Sequence, residues 1–146
     1  MKVRIKRLSE NAIMPKRAHA TDAGFDLYCT ETSVDWAKQE LLCHTGIAFE
    51  IPEGHAGLIF PRSSIANKPL LSHNSVGVID SNYRGEVTAK FVITDAREFL
   101  LKDGGYHSGD RICQMIILPY PEVEFEEVEE LTETDRGTGG YGSTGR

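Results

Sequence analysis

The chain has 146 residues, 40% of them hydrophobic, with a formal net charge of −6. That length fits one domain with a real core, and the acidic balance excludes the basic face of a non-specific nucleic-acid binder. No apolar run approaches the ~20 residues that span a bilayer, and the opening MKVRIKRLSE alternates charged and apolar residues unlike a signal peptide, so no membrane partner is expected and the protein should be soluble and cytoplasmic.

Strand patterns dominate along the chain. Val3 and Ile5 alternate with Lys and Arg, predicting a strand with one buried face. Only the stretch near Trp36, and Ser64 to Lys68 just before Pro69, leave room for a helical turn. GIAFEIPEGHAGLIF reads as two strands, with Pro52-Glu53-Gly54 turning the chain between them. VGVID and EVTAKFVI flank Ser81 to Gly85, which predicts a hairpin with a wide, Gly-ended loop. Ala96 to Ser108 is polar and Gly-bearing, and no element is read there. RICQMIIL predicts a central strand, and the alternating VEFEEV an edge strand. Many short strands with turn signals between them predict a sandwich or barrel. The closing RGTGGYGSTGR has Tyr141 as its single apolar side chain, so it cannot offset its ordering entropy and is expected to be a mobile arm. The expected division is a β domain over 1–134 and an arm over 135–146. Cys29, Cys43 and Cys113 are odd in number, widely spaced and without a Cys-x-x-Cys, so reduced thiols are expected.

Five segments can carry chemistry. The tail fits G-x-x-x-x-G-x-[ST] from Gly137, but Ser143 stands where a phosphate-binding loop has lysine and no helix follows, so a Walker site is rejected. Its glycines still let backbone N–H groups face phosphate oxygens, with hydroxyls on Ser143 and Thr144 and charge on Arg136 and Arg146; the plain alternative is a disordered tail. Arg62-Ser63-Ser64 offers a charged fork and two neutral donors at a strand end, against the alternative of an ordinary serine N-cap beside a solvated arginine. Asp80 follows an apolar run and opens a turn; it is either an Asx-turn residue or a carboxylate held at a sheet edge to orient and deprotonate water. Tyr83 is a turn aromatic or a flat wall for a ligand. Asp26 and Asp110 sit at loop-to-strand transitions, where acids are usually caps or ion-pair partners, though Asp26 can instead hold Mg²⁺ through water. Gln114 is a polar group on an apolar strand and needs a partner, for which a ligand is one candidate.

Taken in order, ATDAGFDLY, PRSSIA, GVIDSNYRGEV, GDRICQM and RGTGGYGSTG resemble the five motifs of the trimeric dUTPase family. They span Ala20 to Gly145, nearly the whole chain. The resemblance implies an all-β, jelly-roll-like distorted barrel and a homotrimer whose active sites are shared between subunits. It implies hydrolysis of dUTP to dUMP and pyrophosphate by water attack on the α-phosphorus, with Mg²⁺ as cofactor. By the same resemblance Asp80 is the general base, and Tyr83 packs against the deoxyribose where a ribose hydroxyl would collide. Asn74 with the backbone of Gly77, Val78 and Ile79 reads uracil, and Arg62, Ser63, Ser64 and Gln114 hold the triphosphate. Asp26 matches the acid near the metal's water shell. The arm matches a lid, with Arg136, Gly140, Gly142, Ser143 and Thr144 toward the phosphates and Tyr141 stacked on the base. The chain departs from the pattern at Tyr141, where phenylalanine is commoner, and at Cys113, where alanine is frequent. Phosphoryl transfer asks mainly for positioning and charge neutralisation, so the lack of a nucleophilic side chain is no obstacle. Two other classes compete. A dCTP deaminase of the same fold needs a proton-shuttling glutamate; PRSSIA offers none, although Glu86 lies near Asp80. A nucleotide-responsive binding protein would not need the full set of catalytic residue types.

Overall fold

The computed structural model describes residues 1–140. β1 (Arg4–Arg7) and β5 (Ile47–Glu50) form a two-stranded ribbon. One four-stranded sheet runs β2 (Phe25–Tyr28), β10 (Arg111–Pro119), β6 (His55–Pro61), β8 (Gly77–Ile79). The other runs β3 (Glu31–Asp35), β4 (Glu40–His44), β9 (Thr88–Ile93), β7 (Leu70–Ser72). Every ladder is antiparallel. Period-two alternation turns Leu41 and Cys43 of β4, and Ala89, Phe91 and Ile93 of β9, inward. They meet Leu27, Ile47, Ile112 and Met115 in one core, each almost fully buried. This is the all-β, jelly-roll-like barrel expected, and RICQMIIL is its central strand, paired on both sides.

Three expectations change. VGVID and EVTAKFVI are not a hairpin: β8 pairs with β6, whereas β9 pairs with β4 and β7 in the other sheet. The loop between them crosses from sheet to sheet, because each run finds its partner far away in sequence rather than across the turn. VEFEEV forms no strand among the described residues; Val123, Phe125 and Val128 are exposed, with Phe125 at 94%. Its alternation is genuine, but no strand edge among the described residues receives it. The stretch near Trp36 is the turn between β3 and β4, held by the Asp35 carboxylate accepting from Ala37 and Lys38 N–H.

Inside the unread 96–108 stretch lies α1 (Ala96–Leu101). The Asp95 side chain caps it by accepting from Glu98 N–H at 2.8 Å, and Phe99 packs edge-on against Trp36. All three cysteines are buried free thiols. A hydrogen bond with Cys29, together with burial, pushes the Cys43 thiol up, and burial raises Cys113 to about 12. No helix among the described residues is long and apolar enough to cross a membrane.

The turn from β4 into β5 depends on Gly46, whose φ is +64°. A Cβ there would sit 2.3 Å from Ser9 Oγ and 2.9 Å from Ala12 Cβ. Backbone strain and overpacking therefore add, and Gly46→Ala is expected to lower stability by about 2–4 kcal/mol, read as a fall in urea midpoint.

Candidate active site

The central strand organises the polar cleft. In register, Gln114 of β10 lies opposite Asp26 of β2 on one side and Phe60 of β6 on the other. Arg62 follows directly from the end of β6, so the three polar residues meet at one end of the sheet. Asp26 is nearly buried, and its carboxylate takes Arg62 Nε at 2.8 Å on one oxygen and an Arg111 guanidinium nitrogen at 3.2 Å on the other. The guanidinium of Arg62 also reaches Ser64 Oγ at 3.4 Å. Pinned in this way, Arg62 is a preorganised fork whose remaining N–H groups have no partner among the described residues and can meet an anion. Gln114 donates to the Pro61 carbonyl at a long 3.4 Å, and its amide oxygen lies over Gly24, where a Cβ would come within 2.8 Å. Gly24 therefore makes the room that Gln114 occupies.

Asp26, Arg62, Ser63 and Gln114 line an open cleft of about 710 Å³. A second cleft of about 360 Å³ is lined by Asn74, Gly77, Val78 and Ile79, with Phe91 beneath. The two share Pro61 as a wall, and adjacent residues Asn74 and Ser75 line one each. The second cleft suits a flat ring with polar edges, because β8 lends it backbone groups and Asn74 an amide.

Asp80 is exposed, one residue beyond the end of β8. Its carbonyl accepts from Tyr83 N–H at 3.1 Å, closing a turn, while its carboxylate makes no hydrogen bond among the described residues. Tyr83 is 44% exposed, and its hydroxyl donates to the Glu86 carbonyl at 3.0 Å. Neither residue lines either cleft. Arg136 and Gly140 are also apart from both; the guanidinium of Arg136 donates to its own loop at Gly139. Tyr141, Gly142, Ser143 and Thr144 lie outside the described residues.

Among the described residues no three His, Cys, Asp or Glu side chains converge on a metal position. With both Asp26 oxygens held by guanidiniums, the donors do not build a protein cage. Any cation here would have to keep most of its own waters, as a hard ion such as Mg²⁺ does. Sequence reasoning gives Arg111 no role, although it opens the strand that carries Gln114. Glu86 turns away from a base-shuttling role: its carboxylate accepts from Gly46 N–H at 2.7 Å and pairs with His44 Nδ1 at 2.8 Å. With both oxygens engaged by these two groups, the carboxylate is not presented to a base ring, which removes the feature that kept a deaminase in competition.

The dUTPase family model matches residues 10–145. The deoxyuridine 5'-triphosphate nucleotidohydrolase of Corynebacterium glutamicum is 42% identical over 145 residues, covering 99% of this chain and 95% of that one. Among solved structures, a variant of the dUTPase of Staphylococcus bacteriophage 80alpha with dUpNHpp is 30% identical, with a TM-score of 0.85 and 99% of each chain covered. A mutant dUTPase from phage phi11 of S. aureus, described as coordinating a structural Mg(II) ion, is 28% identical with a TM-score of 0.73, covering 89% of this chain and 98% of that one. With its fold, its paired clefts and these relatives in agreement, the chain belongs to the dUTPase family.

Proposed function

We propose that the family's reaction, hydrolysis of dUTP to dUMP and pyrophosphate, is carried out here with Asp80 as general base. Asp80 orients a water and takes its proton as the oxygen attacks the α-phosphorus; pyrophosphate leaves. The observation that carries this assignment is the pinned Arg62 in a polar cleft that shares the Pro61 wall with a second cleft, whose lining strand β8 ends at Ile79, one residue before Asp80. Arg62, Ser63, Ser64 and Gln114 hold the triphosphate. Asn74 and the backbone of Gly77, Val78 and Ile79 read uracil. Tyr83 walls the deoxyribose. Asp26 would stand at the edge of the water shell of a Mg²⁺ brought in with the triphosphate, and that ion would supply neutralisation of phosphate charge.

Among the described residues the functional set is divided on one chain: two clefts, a lip that lines neither, and Arg136 to Gly140 apart from both clefts. Tyr120, Val123, Phe125, Val128 and Leu131 form an exposed apolar run after the last strand, the kind of surface that a neighbouring copy covers. A homotrimer in which each site draws on several chains accounts for both. Residues 135–146 act as the arm that closes the site, with Arg136, Gly140, Gly142, Ser143 and Thr144 toward the phosphates and Tyr141 on the base. Buried free thiols suit a reducing compartment, and the enzyme is assigned to the cytoplasm.

Purified protein with Mg²⁺ should release pyrophosphate from dUTP and far less from UTP. Equal rates on the two would remove the role given to Tyr83. Sedimentation should return three times the 16.2 kDa chain mass; a fully active monomer would overturn the shared site.

A further inference from the structure

The loop that bears Asp80 and Tyr83 has little to hold it. β8 ends at Ile79 and β9 begins at Thr88 in the other sheet. Asp80, Asn82, Tyr83 and Arg84 are exposed, and among the described residues Arg84 donates only to Ser81 and Tyr83 carbonyls within the loop. The ties to the barrel are at its far end. Val87 is buried, with its N–H on the Ile47 carbonyl at 2.9 Å and its own carbonyl accepting from Thr45 Oγ at 2.5 Å.

The neighbouring Glu86 is fastened by its side chain. One carboxylate oxygen accepts from Gly46 N–H and the other from His44 Nδ1. A carboxylate only accepts, so Nδ1 carries the proton in this contact. Burial pushes the Glu86 carboxyl up, but the hydrogen bonds from His44 and Gly46 together outweigh it and hold the group below its usual range. Gly46 itself is fixed by its positive φ and by Ser9 and Ala12 against its Cα. The donors that receive Glu86 therefore belong to the end of β4 and the turn that follows it.

The main-chain carbonyl of the same residue receives the Tyr83 hydroxyl. The ring reaches it by folding back over Gly85, where a Cβ would lie 2.4 Å from the hydroxyl oxygen. The ring therefore rests on the main chain of a residue whose side chain is itself tied to the barrel.

We propose that Glu86 is a positioning residue that sets the preference for deoxyribose over ribose, docking on His44 and Gly46 and holding Tyr83 through its own carbonyl. The inference rests on the assignment of Tyr83 as the sugar wall. A glutamine at 86 would turn an NH₂ group toward one of two donors, so the amide cannot replace the carboxylate fully.

The test is the ratio of kcat/KM for dUTP to that for UTP. Losing these charge-assisted bonds in Glu86→Ala should lower the ratio about tenfold, with Glu86→Gln and His44→Gln each giving roughly threefold. Melting temperature is followed in parallel, because a purely structural residue would lower it and leave the ratio alone. A ratio within about twofold of the unaltered enzyme in all three variants overturns the proposal. Tyr83→Ala separates the layers. If it leaves the ratio unchanged, the sugar-wall assignment fails; if it erases the ratio while the Glu86 variants do not, the docking role alone fails. Should Glu86→Ala not fold, the two glutamine variants decide by the same criterion.

Discussion

Asp80→Asn is expected to bind dUTP as tightly as the unaltered enzyme and to turn it over roughly 10²–10⁴ times more slowly. The amide keeps the size and polarity of the carboxylate but cannot accept a proton from water. Nothing in the fold leans on the side chain: it is exposed and makes no hydrogen bond among the described residues. The melting temperature should therefore stay close to that of the parent, since surface changes away from special features fall within about 0.5 kcal/mol. Separating binding from turnover is the essential measurement. A loss confined to kcat marks an interaction made only in the transition state, whereas a rise in KM with kcat intact would make Asp80 a ground-state contact. Titration calorimetry with dUTP in the variant, beside pyrophosphate release, distinguishes these. Full turnover by Asp80→Asn would mean that another group activates the water.

What the sequence discloses is local chemistry, and what it withholds is partnership. RICQMIIL reads as a central strand because it is apolar on both faces, and β10 is paired on both sides. The polar residues of the phosphate cleft are legible one at a time, as an acid at a strand start, an arginine after a strand end and a glutamine amid apolar neighbours. That they meet follows from the register Asp26, Gln114, Phe60, which no spacing in the sequence encodes. The same limit explains the hairpin. Two apolar runs around a Gly-ended loop suggest pairing, yet β8 and β9 find β6 and β4 across long separations. VEFEEV has the pattern of a strand but joins no strand edge among the described residues.

The helix α1 fails for another reason. Asp95 and Glu98 stand at the spacing of a cap and the third helical position, but six residues followed by Gly104 and Gly105 give too little periodicity to announce a helix. The docking of Glu86 was likewise beyond spacing alone. His44 lies 42 residues earlier and Gly46 40, and only the fold shows that they face it. In each instance the residue type is informative and the neighbour is not, because side-chain chemistry is a property of one position whereas a contact belongs to two.

Ending the chain at Thr134 is expected to reduce turnover by roughly 10²–10³-fold, the cost of losing charged and backbone donors aimed at the reacting phosphates. The barrel should survive. From Asp135 to Gly140 the bonds are internal, from Arg136 to the Gly139 carbonyl and from Gly137 N–H to Thr134, so a melting curve should not move. Neither the truncated chain nor Asp80→Asn should be active alone, and that permits a sharper experiment. If a site takes its carboxylate from one chain and its arm from another, co-expressing the two defective chains must rebuild some intact sites. With random assembly, half of the sites receive a good Asp80 and half of those a good arm, so about a quarter of parental activity should return. If both elements of a site come from the same chain, every site keeps one defect and no activity returns. The mixed preparation therefore tests the shared site directly, independently of any measured mass, and recovery near zero in a verified mixed trimer would refute it.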